Sequence, residues 1–344
     1  MNECKGVNKG LNEYEAKRKN VMEQNKKDLA DAVEDSNTKM DEMSEMNRSM
    51  DHERFSNNDD DGVNYGTNDR LDQRNVILDD LSRYGDVQVT DLEDGKIQVK
   101  INGKVVVDAS GASYTNDKLN IGSDGVTLTW NSNNQNANLG AGAIRGFTDM
   151  LTGADPINAG IPYYQNKMDN FAQTLADVFN NKIHADDPDF PDKYKFLLQG
   201  GVDGKVTAGN ISISDQWADD VSYIIRKQNP DGELDNQDIL DMKAAFEQDF
   251  NFGGEYTGTF SEFITSVTNT LGSGIKTNSA RMSASLAIAE SADSERMGVS
   301  GVSLNEEGIS MMTYNKAYQA LGRLMTTMDE QLDMIINKMG IVGR

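Results

Sequence analysis

Acidic and amide side chains in one stretch have the spacing of a calcium-binding loop. Asn57, Asp59 and Asp61 stand where such a loop places its first ligands, and Gly62 stands at its sharp turn. Asn68, however, occupies the position of the bidentate glutamate that completes the site. The sequence therefore predicts an Asx-rich loop here, and we expect no metal site.

Two glycine-rich stretches have the composition of nucleotide-binding loops without their spacing. In QGGVDGKVT no glycine stands five positions before Gly204, and Val206 replaces the hydroxyl residue that would bind magnesium. In GAGAIRG one extra residue precedes the last glycine, and no expected strand runs into it. We interpret GAGAIRG as a turn entering a helix and predict no cofactor.

The residues that usually carry nucleophilic or zinc chemistry are few and scattered. His52 and His184 are the two histidines, and Cys4 is the one cysteine, so no zinc cluster or Cys-His pair can be assembled from neighbouring positions. Carboxylates are so frequent that no pair stands out as an acid and base. We therefore predict no catalytic residue and expect that the protein is not an enzyme.

Composition excludes further classes. The 344 residues are 37% hydrophobic, below the usual share of about 45–50%, and carry a net charge of −23. Such a charge argues against nucleic acid or an anionic membrane as partner. The first thirty residues carry charges throughout, unlike a secretory signal peptide, and no run of eighteen apolar residues occurs.

The last forty residues contain a regular apolar heptad pattern. Its positions alternate spacings of three and four: Met311, Tyr314, Tyr318, Leu321, Met325, Met328, Leu332, Ile335 and Met339. Ser303 and Glu306 form a capping box, which predicts a helix start near Leu304, and Gly340 and Gly343 are candidate stops. The pattern predicts a helix that packs along another helix, either in its own domain or in an intermolecular coiled coil.

Periodicity divides the rest of the chain into helical and β segments, so the predicted fold class is α+β, an elongated multidomain protein with long helices and an antiparallel meander. The predicted segments are a charged helical or disordered segment (1–62), a helix (63–84), an antiparallel β segment (85–135), a helical segment (140–184), an acidic inserted domain (185–258), a long helix (259–299) and the C-terminal helix (300–344).

Two of these segments allow finer predictions. The first has a sparse apolar pattern from Leu29 to Met50 that includes polar Ser36 and Asn47, which predicts a weak helix or a solvated tail. In the β segment, Asp94-Gly95 and Asn102-Gly103 predict the tight turns of a three-stranded meander with Val105 and Val107 on one face. A further hairpin is predicted around Asp124-Gly125, with strands near 119–121 and 126–130.

Several stretches resemble known proteins. SGVSLNEEGISMMTYNKAYQALGRLMTTMDEQLDMIIN, from Ser300 to Asn337, resembles the C-terminal signature of flagellar axial proteins. NDRLDQRNVILDDLSRYGDVQV, MDNFAQTLADVFNNKIH, TAGNISISDQW and GTFSEFITSVTNTLG resemble the hook-associated protein 1 family in particular. These stretches cover most of residues 64–340 in the family's order.

The resemblance implies a structural subunit that polymerises as a ring between the hook and the filament of a bacterial flagellum. Its implied partners are further copies of itself, the hook protein, the second hook-associated junction protein and a cytosolic export chaperone on the C-terminal helix. It implies a location outside the cell, reached through the flagellar export apparatus without a cleaved signal peptide. The expected assembly or chaperone interface comprises Leu304, Met311, Tyr314, Ala317, Tyr318, Leu321, Leu324, Met325, Met328, Leu332, Ile335, Ile336 and Met339.

The N-terminal part departs from the family pattern. The family opens with a helix and an Asn-Ile-Ala-Asn type motif that are not found here, and the first sixty residues resemble the family's helices poorly. We therefore expect the free chain to be monomeric with its C-terminal seam uncovered. The alternatives are a cytosolic coiled-coil binding module, another rod or hook protein, and an acidic calcium-dependent module or enzyme on an axial scaffold.

Overall fold

The structure is a computed structural model that describes residues 2–56, 65–92, 96–110, 114–182, 197–201, 205–220, 223–224, 236–254 and 256–335. Its helices are α1 (Asn2–Ser56), α2 (Tyr65–Ser82), α3 (Ala143–Thr152), α4 (Ile161–Lys182), α5 (Asp215–Asp219), α6 (Gln237–Ala245), α7 (Phe260–Ser300) and α8 (Leu304–Asp333). Its strands are β1 (Val87–Asp91), β2 (Ile97–Ile101), β3 (Lys104–Asp108), β4 (Thr115–Asn116), β5 (Leu119–Ile121), β6 (Leu128–Trp130), β7 (Leu198–Gln199), β8 (Ser212–Ile213), β9 (Phe250–Asn251) and β10 (Thr257–Gly258). The α+β class is confirmed.

The chain forms two compact units, Met1–Thr268 and Asn269–Arg344, and the boundary falls inside α7. The first unit contains α1 to α6 and all the strands, and the second contains most of α7 and all of α8.

Helix α1 is continuous through the segment for which the sequence left a weak helix or a solvated tail open. Its sparse apolar positions are buried: Leu29, Met40 and Met43 are fully inaccessible, and Val33 and Met50 nearly so. Polar Ser36 and Asn47, which weakened the pattern in the sequence, are buried on the same face. The physical reason is that tertiary packing stabilises a helix whose own pattern is weak.

Asparagine side chains attach helices to strand backbones. The Asn47 amide donates to the Ile97 carbonyl at 2.9 Å and accepts from the Ile97 N–H at 3.0 Å. Asn37, ten residues earlier on α1, makes the same pair with Leu119, both bonds at 2.9 Å. On α4, Asn180 does so with the backbone of Leu197 and Leu198. A primary amide offers one donor and one acceptor, as a peptide group does, so it can replace a missing strand neighbour.

Strands β1 to β4 form one antiparallel sheet in sequence order, one strand more than predicted. Asn102 and Gly103 both have positive φ, 50° and 79°, as the two-residue turn between β2 and β3 requires. The other predicted turn, Asp94-Gly95, lies outside the described residues. The prediction that Val105 and Val107 share one face is wrong, because the register shifts between Val99 and Lys100 and buries Val106 and Val107 together.

The second hairpin forms where predicted, although β6 begins at Leu128, two residues later than expected. Leu119 lies opposite Trp130 and Ile121 opposite Leu128. The Asp124 carboxylate closes the turn by accepting from the backbone N–H groups of Val126 and Thr127.

One core of the first unit lies between α1, α2, α3 and the sheet. It contains Leu29 and Met40 of α1, Leu81 of α2, the inward face of β2 and Ile144 of α3. GAGAIRG is the turn into α3, as interpreted from the sequence: Gly142 has φ 89°, and a Cβ there would lie 2.3 Å from the Tyr84 carbonyl carbon.

A second core joins α1 and α4 to the described part of 185–258. Leu11 of α1 and Phe171 of α4 pack in one cluster with Trp217, Phe252 and Phe263. The Phe252 and Phe263 rings stack with their centroids 4.3 Å apart. The segment predicted as an acidic inserted domain therefore shares its core with the helices around it, and Val206 of the rejected phosphate loop is part of that core.

The structure also limits some local predictions. Within the segment predicted as an acidic inserted domain, α6 ends at Ala245 and Phe250 begins a short strand. Residues Asn57 to Asn64 of the candidate calcium loop lie outside the described residues, as do His184, Gly340 and Gly343.

Candidate assembly interface

Helix α8 begins where the capping box predicts. The Ser303 side chain accepts from the Glu306 N–H at 3.4 Å, and Leu304 is the first helical residue. Glu306 and Glu307 in the first turn favour the positive end of the helix dipole. The start of the helix, and so the phase of its faces, is set by local sequence.

We use the name α8 stripe for the described seam residues Met311, Tyr314, Tyr318, Leu321, Met325, Met328, Leu332 and Ile335. Every one of them is at least half exposed, from 50% for Leu332 to 79% for Tyr318. The other expected interface residues Leu304, Ala317 and Leu324 are exposed as well, whereas Ile336 and Met339 lie outside the described residues. Scattered exposed apolar residues are ordinary, whereas a continuous stripe of eight is typical of an interaction surface.

The stripe follows a slow spiral on the helix. Seven residues of a straight helix turn through about 700°, so a strict heptad pattern drifts by about 20° per repeat. Two straight helices would soon lose contact along such a stripe. A left-handed supercoil would keep it against a partner, which is the geometry of coiled coils.

The described part of the second unit has no core of its own. Between Asn269 and Ile335 no side chain that the structure describes is buried. Large apolar residues of α7 are exposed too, among them Ile275, Met282, Leu286 and Ile288. The charged residues Lys316, Arg323, Asp329 and Glu330 lie off the α8 stripe, so the stripe itself consists of apolar side chains and two tyrosines and can bury apolar area.

Among the residues with described side chains, no group of three or more His, Cys, Asp or Glu could hold a metal ion. No helix among the described residues is long and apolar enough to cross a membrane.

The sequence interpretation missed one exposed surface. The outer face of α1 carries its charges in two blocks, basic and then acidic. The signal was available, because counting charges in each half of the helix separately shows the asymmetry, whereas the total for residues 1–62 conceals it.

Comparisons with known proteins agree with the resemblance. Residues 1–192 match the helical domain of the flagellar hook-associated protein FlgK, and residues 294–338 match the C-terminal region of the flagellar basal body rod proteins FlgEFG. Flagellar hook-associated protein 1 of Bacillus subtilis (strain 168) is 25% identical over 313 residues, which are 80% of this chain and 60% of that protein. The chain thus spans about three fifths of the length of this relative.

The first match also corrects one expectation. The first sixty residues were expected to resemble the family poorly, but the match begins at residue 1 and includes all of α1. It extends over 192 of 344 residues, more than half of the chain. The chain therefore belongs to the family of the flagellar hook-associated protein FlgK.

Proposed function

We propose that this chain is a structural subunit of the bacterial flagellum that helps to join hook and filament by packing its terminal helices against those of neighbouring subunits. The observation that carries the proposal is the exposure of the α8 stripe in a chain of this family. The role requires no catalysis.

Free energy supports an interface on α8. Burying a large apolar side chain stabilises a protein by about 1.5–3 kcal/mol. The eight stripe residues contribute almost none of this free energy while they are exposed. Helices without tertiary contacts are marginal in water. We therefore expect α8 to be ordered only when another helix covers the stripe.

The family suggests which molecules could cover it. In the assembled flagellum they would be further copies of this chain, the hook protein and the second hook-associated junction protein. Before export, a cytosolic chaperone would cover the same stripe and keep it from aggregating. The protein would leave the cell through the flagellar export apparatus without a cleaved signal peptide.

A pair of methionine substitutions tests the proposal. Met325 lies at the centre of the α8 stripe and is 72% exposed, whereas Met312 lies on another face of the same helix and is 59% exposed. Met325→Asp should abolish the swimming of a strain that lacks the native gene, because it puts a charge into the buried seam of the assembly. Met312→Asp is the matched control and should leave swimming nearly unchanged.

The readouts are swimming radius and filaments per cell by electron microscopy, with circular dichroism to show that both free proteins keep the wild-type helix content. Equal activity of the two variants would refute the role of the stripe. A stable dimer of the wild-type protein that stays in the cytosol would favour the coiled-coil binding module instead.

A further inference from the structure

Methionine is concentrated on helix α8. Six of the 17 methionines of the chain lie within residues 304–339. Three of them belong to the α8 stripe, where Met311 is 69% exposed, Met325 72% and Met328 54%. Methionine is flexible and polarizable, which suits a surface that must fit more than one partner. Its thioether sulfur also gives the stripe a group that peroxides oxidise, which leucine and isoleucine lack.

The methionines of α1 have the opposite environment. Met40 and Met43 are fully inaccessible, and Met50 is 6% exposed. A peroxide must reach the sulfur to oxidise it, so a buried thioether reacts only when the structure around it opens. In the folded free chain we therefore expect oxidation on α8 and very little on the buried face of α1.

Met325 and Met328 hold the positions where oxidation should matter most. They are neighbours on the helix surface, three residues apart, and the next stripe position on either side of the pair is a leucine. A leucine offers no hydrogen-bond donor, so a sulfoxide oxygen buried there has no partner on its own stripe, and such burial is costly. Met311, in contrast, lies three residues before Tyr314, whose hydroxyl can donate to a sulfoxide.

We infer that Met325 and Met328 form a modification site, at which hydrogen peroxide oxidises the free chain and thereby keeps the subunit out of the flagellum. The sulfur lone pair attacks one peroxide oxygen, the S–O bond forms as the O–O bond breaks, and the second oxygen leaves as water after a proton transfer. Sulfur is oxidised and the peroxide reduced by two electrons. The inference rests on the proposed function, since sulfoxides on the stripe oppose assembly only if assembly buries the stripe.

Mass spectrometry of the peroxide-treated full-length chain tests which sulfurs react. A Cys4→Ala background removes the thiol as a competing target. Met325 and Met328 should each gain one oxygen at least about tenfold faster than Met40 and Met43, because the latter react only through opening of the fold. Equal rates at all four methionines would overturn the inference, since burial would then not select the site.

Binding to purified hooks tests the consequence of the modification. Hooks from a strain that lacks the native gene are mixed with the protein and pelleted by ultracentrifugation, and the bound protein is measured on a gel. Peroxide treatment should lower the amount bound about tenfold, because the seam must then bury two polar sulfoxides. Methionine sulfoxide reductases A and B together should restore binding. Failure of the reductases to restore it would overturn the inference.

Leucine substitutions test whether the two residues cause the effect. Met325→Leu with Met328→Leu keeps the volume and the apolar character of the stripe, so the untreated variant should bind as the wild type does, and peroxide should lower its binding by less than about twofold. The matched control is Met312→Leu with Met334→Leu, two methionines off the stripe that are 59% and 54% exposed. The control should lose binding after peroxide as the wild type does. An equal loss in both variants would refute the assignment.

The results distinguish this inference from the proposed function. If the untreated protein binds hooks and the fully oxidised protein binds equally well, the modification site is refuted and the proposed function stands. If the untreated protein does not bind hooks and is absent from the hook–filament structures of the cell, the proposed function and this inference fall together.

Discussion

Helix α8 has the more regular apolar pattern and helix α1 has the more buried apolar residues, which is the reverse of the usual relation. The apolar pattern of α8 is complete, yet none of its described residues is buried. The pattern of α1 is sparse and interrupted by Ser36 and Asn47, yet these residues and Leu29, Met40 and Met43 are buried. Periodicity indicates which face of a helix is suited to packing, and it does not show whether a partner from the same chain covers that face.

The difference also separates two sources of stability. The first unit, Met1–Thr268, has two apolar cores. Contacts within the free protein therefore supply its free energy of unfolding. The described apolar side chains of the second unit, Asn269–Arg344, are exposed, so we expect the order of this unit to depend on other molecules. The following substitutions test this contrast.

The largest effect is expected for Phe252→Ala in the first unit. Phe252 is fully buried and stacks on Phe263, and its truncation should lower the free energy of unfolding by about 3–5 kcal/mol. Met325→Ala in the α8 stripe should change it by less than about 0.5 kcal/mol. Urea unfolding of the free chain, followed by circular dichroism, measures both. A loss at Met325 as large as that at Phe252 would mean that α8 is covered in the free chain.

A smaller effect is expected for Asn47→Ala. Truncation leaves the N–H and carbonyl of Ile97 without the amide that bonds them, which should cost about 1–3 kcal/mol. Asn20→Ala is the control, because Asn20 is exposed on the same helix and alanine should raise helix propensity slightly. If the two variants unfold at the same urea concentration, the amide does not hold α1 to the sheet.

The smallest effect is a pH dependence at Tyr84. Its hydroxyl donates to the Asp35 carboxylate of α1, and this bond raises the pKa of Tyr84 to about 12. Since the ordinary pKa is near 10, the bond stabilises the fold fully below about pH 10, and the contribution is lost as pH rises towards 12. Tyr84→Phe should therefore be less stable than wild type at pH 9, and the difference should shrink by pH 12. A constant difference would refute the link.

Much of the local structure could be predicted because short-range chemistry determines it. Asn102 and Gly103 adopt positive φ at low cost, so the turn can be predicted from these two residues. Ser303 and Glu306 fix the start of α8 in the same way. The pairing of Leu119 with Trp130 follows from alternation around a turn.

The rest depends on contacts that are distant in sequence. Asn47 interrupts the apolar pattern of α1 in the sequence, and only the folded chain shows that it bonds to Ile97, fifty residues away. The bulge that buries Val106 beside Val107 and the packing of Trp217 with α4 likewise arise only in the folded chain. For the candidate interface, the sequence identifies the stripe on α8, and its binding to other molecules stays a prediction.

The asparagine amides have a consequence for how the sheet meets other molecules. A strand end with free N–H and carbonyl groups can recruit an extended segment from a foreign chain, which is a common first step of aggregation. At Ile97 and Leu119 these groups are already occupied by side chains of α1. Two uncharged residues on one helix thus close both positions.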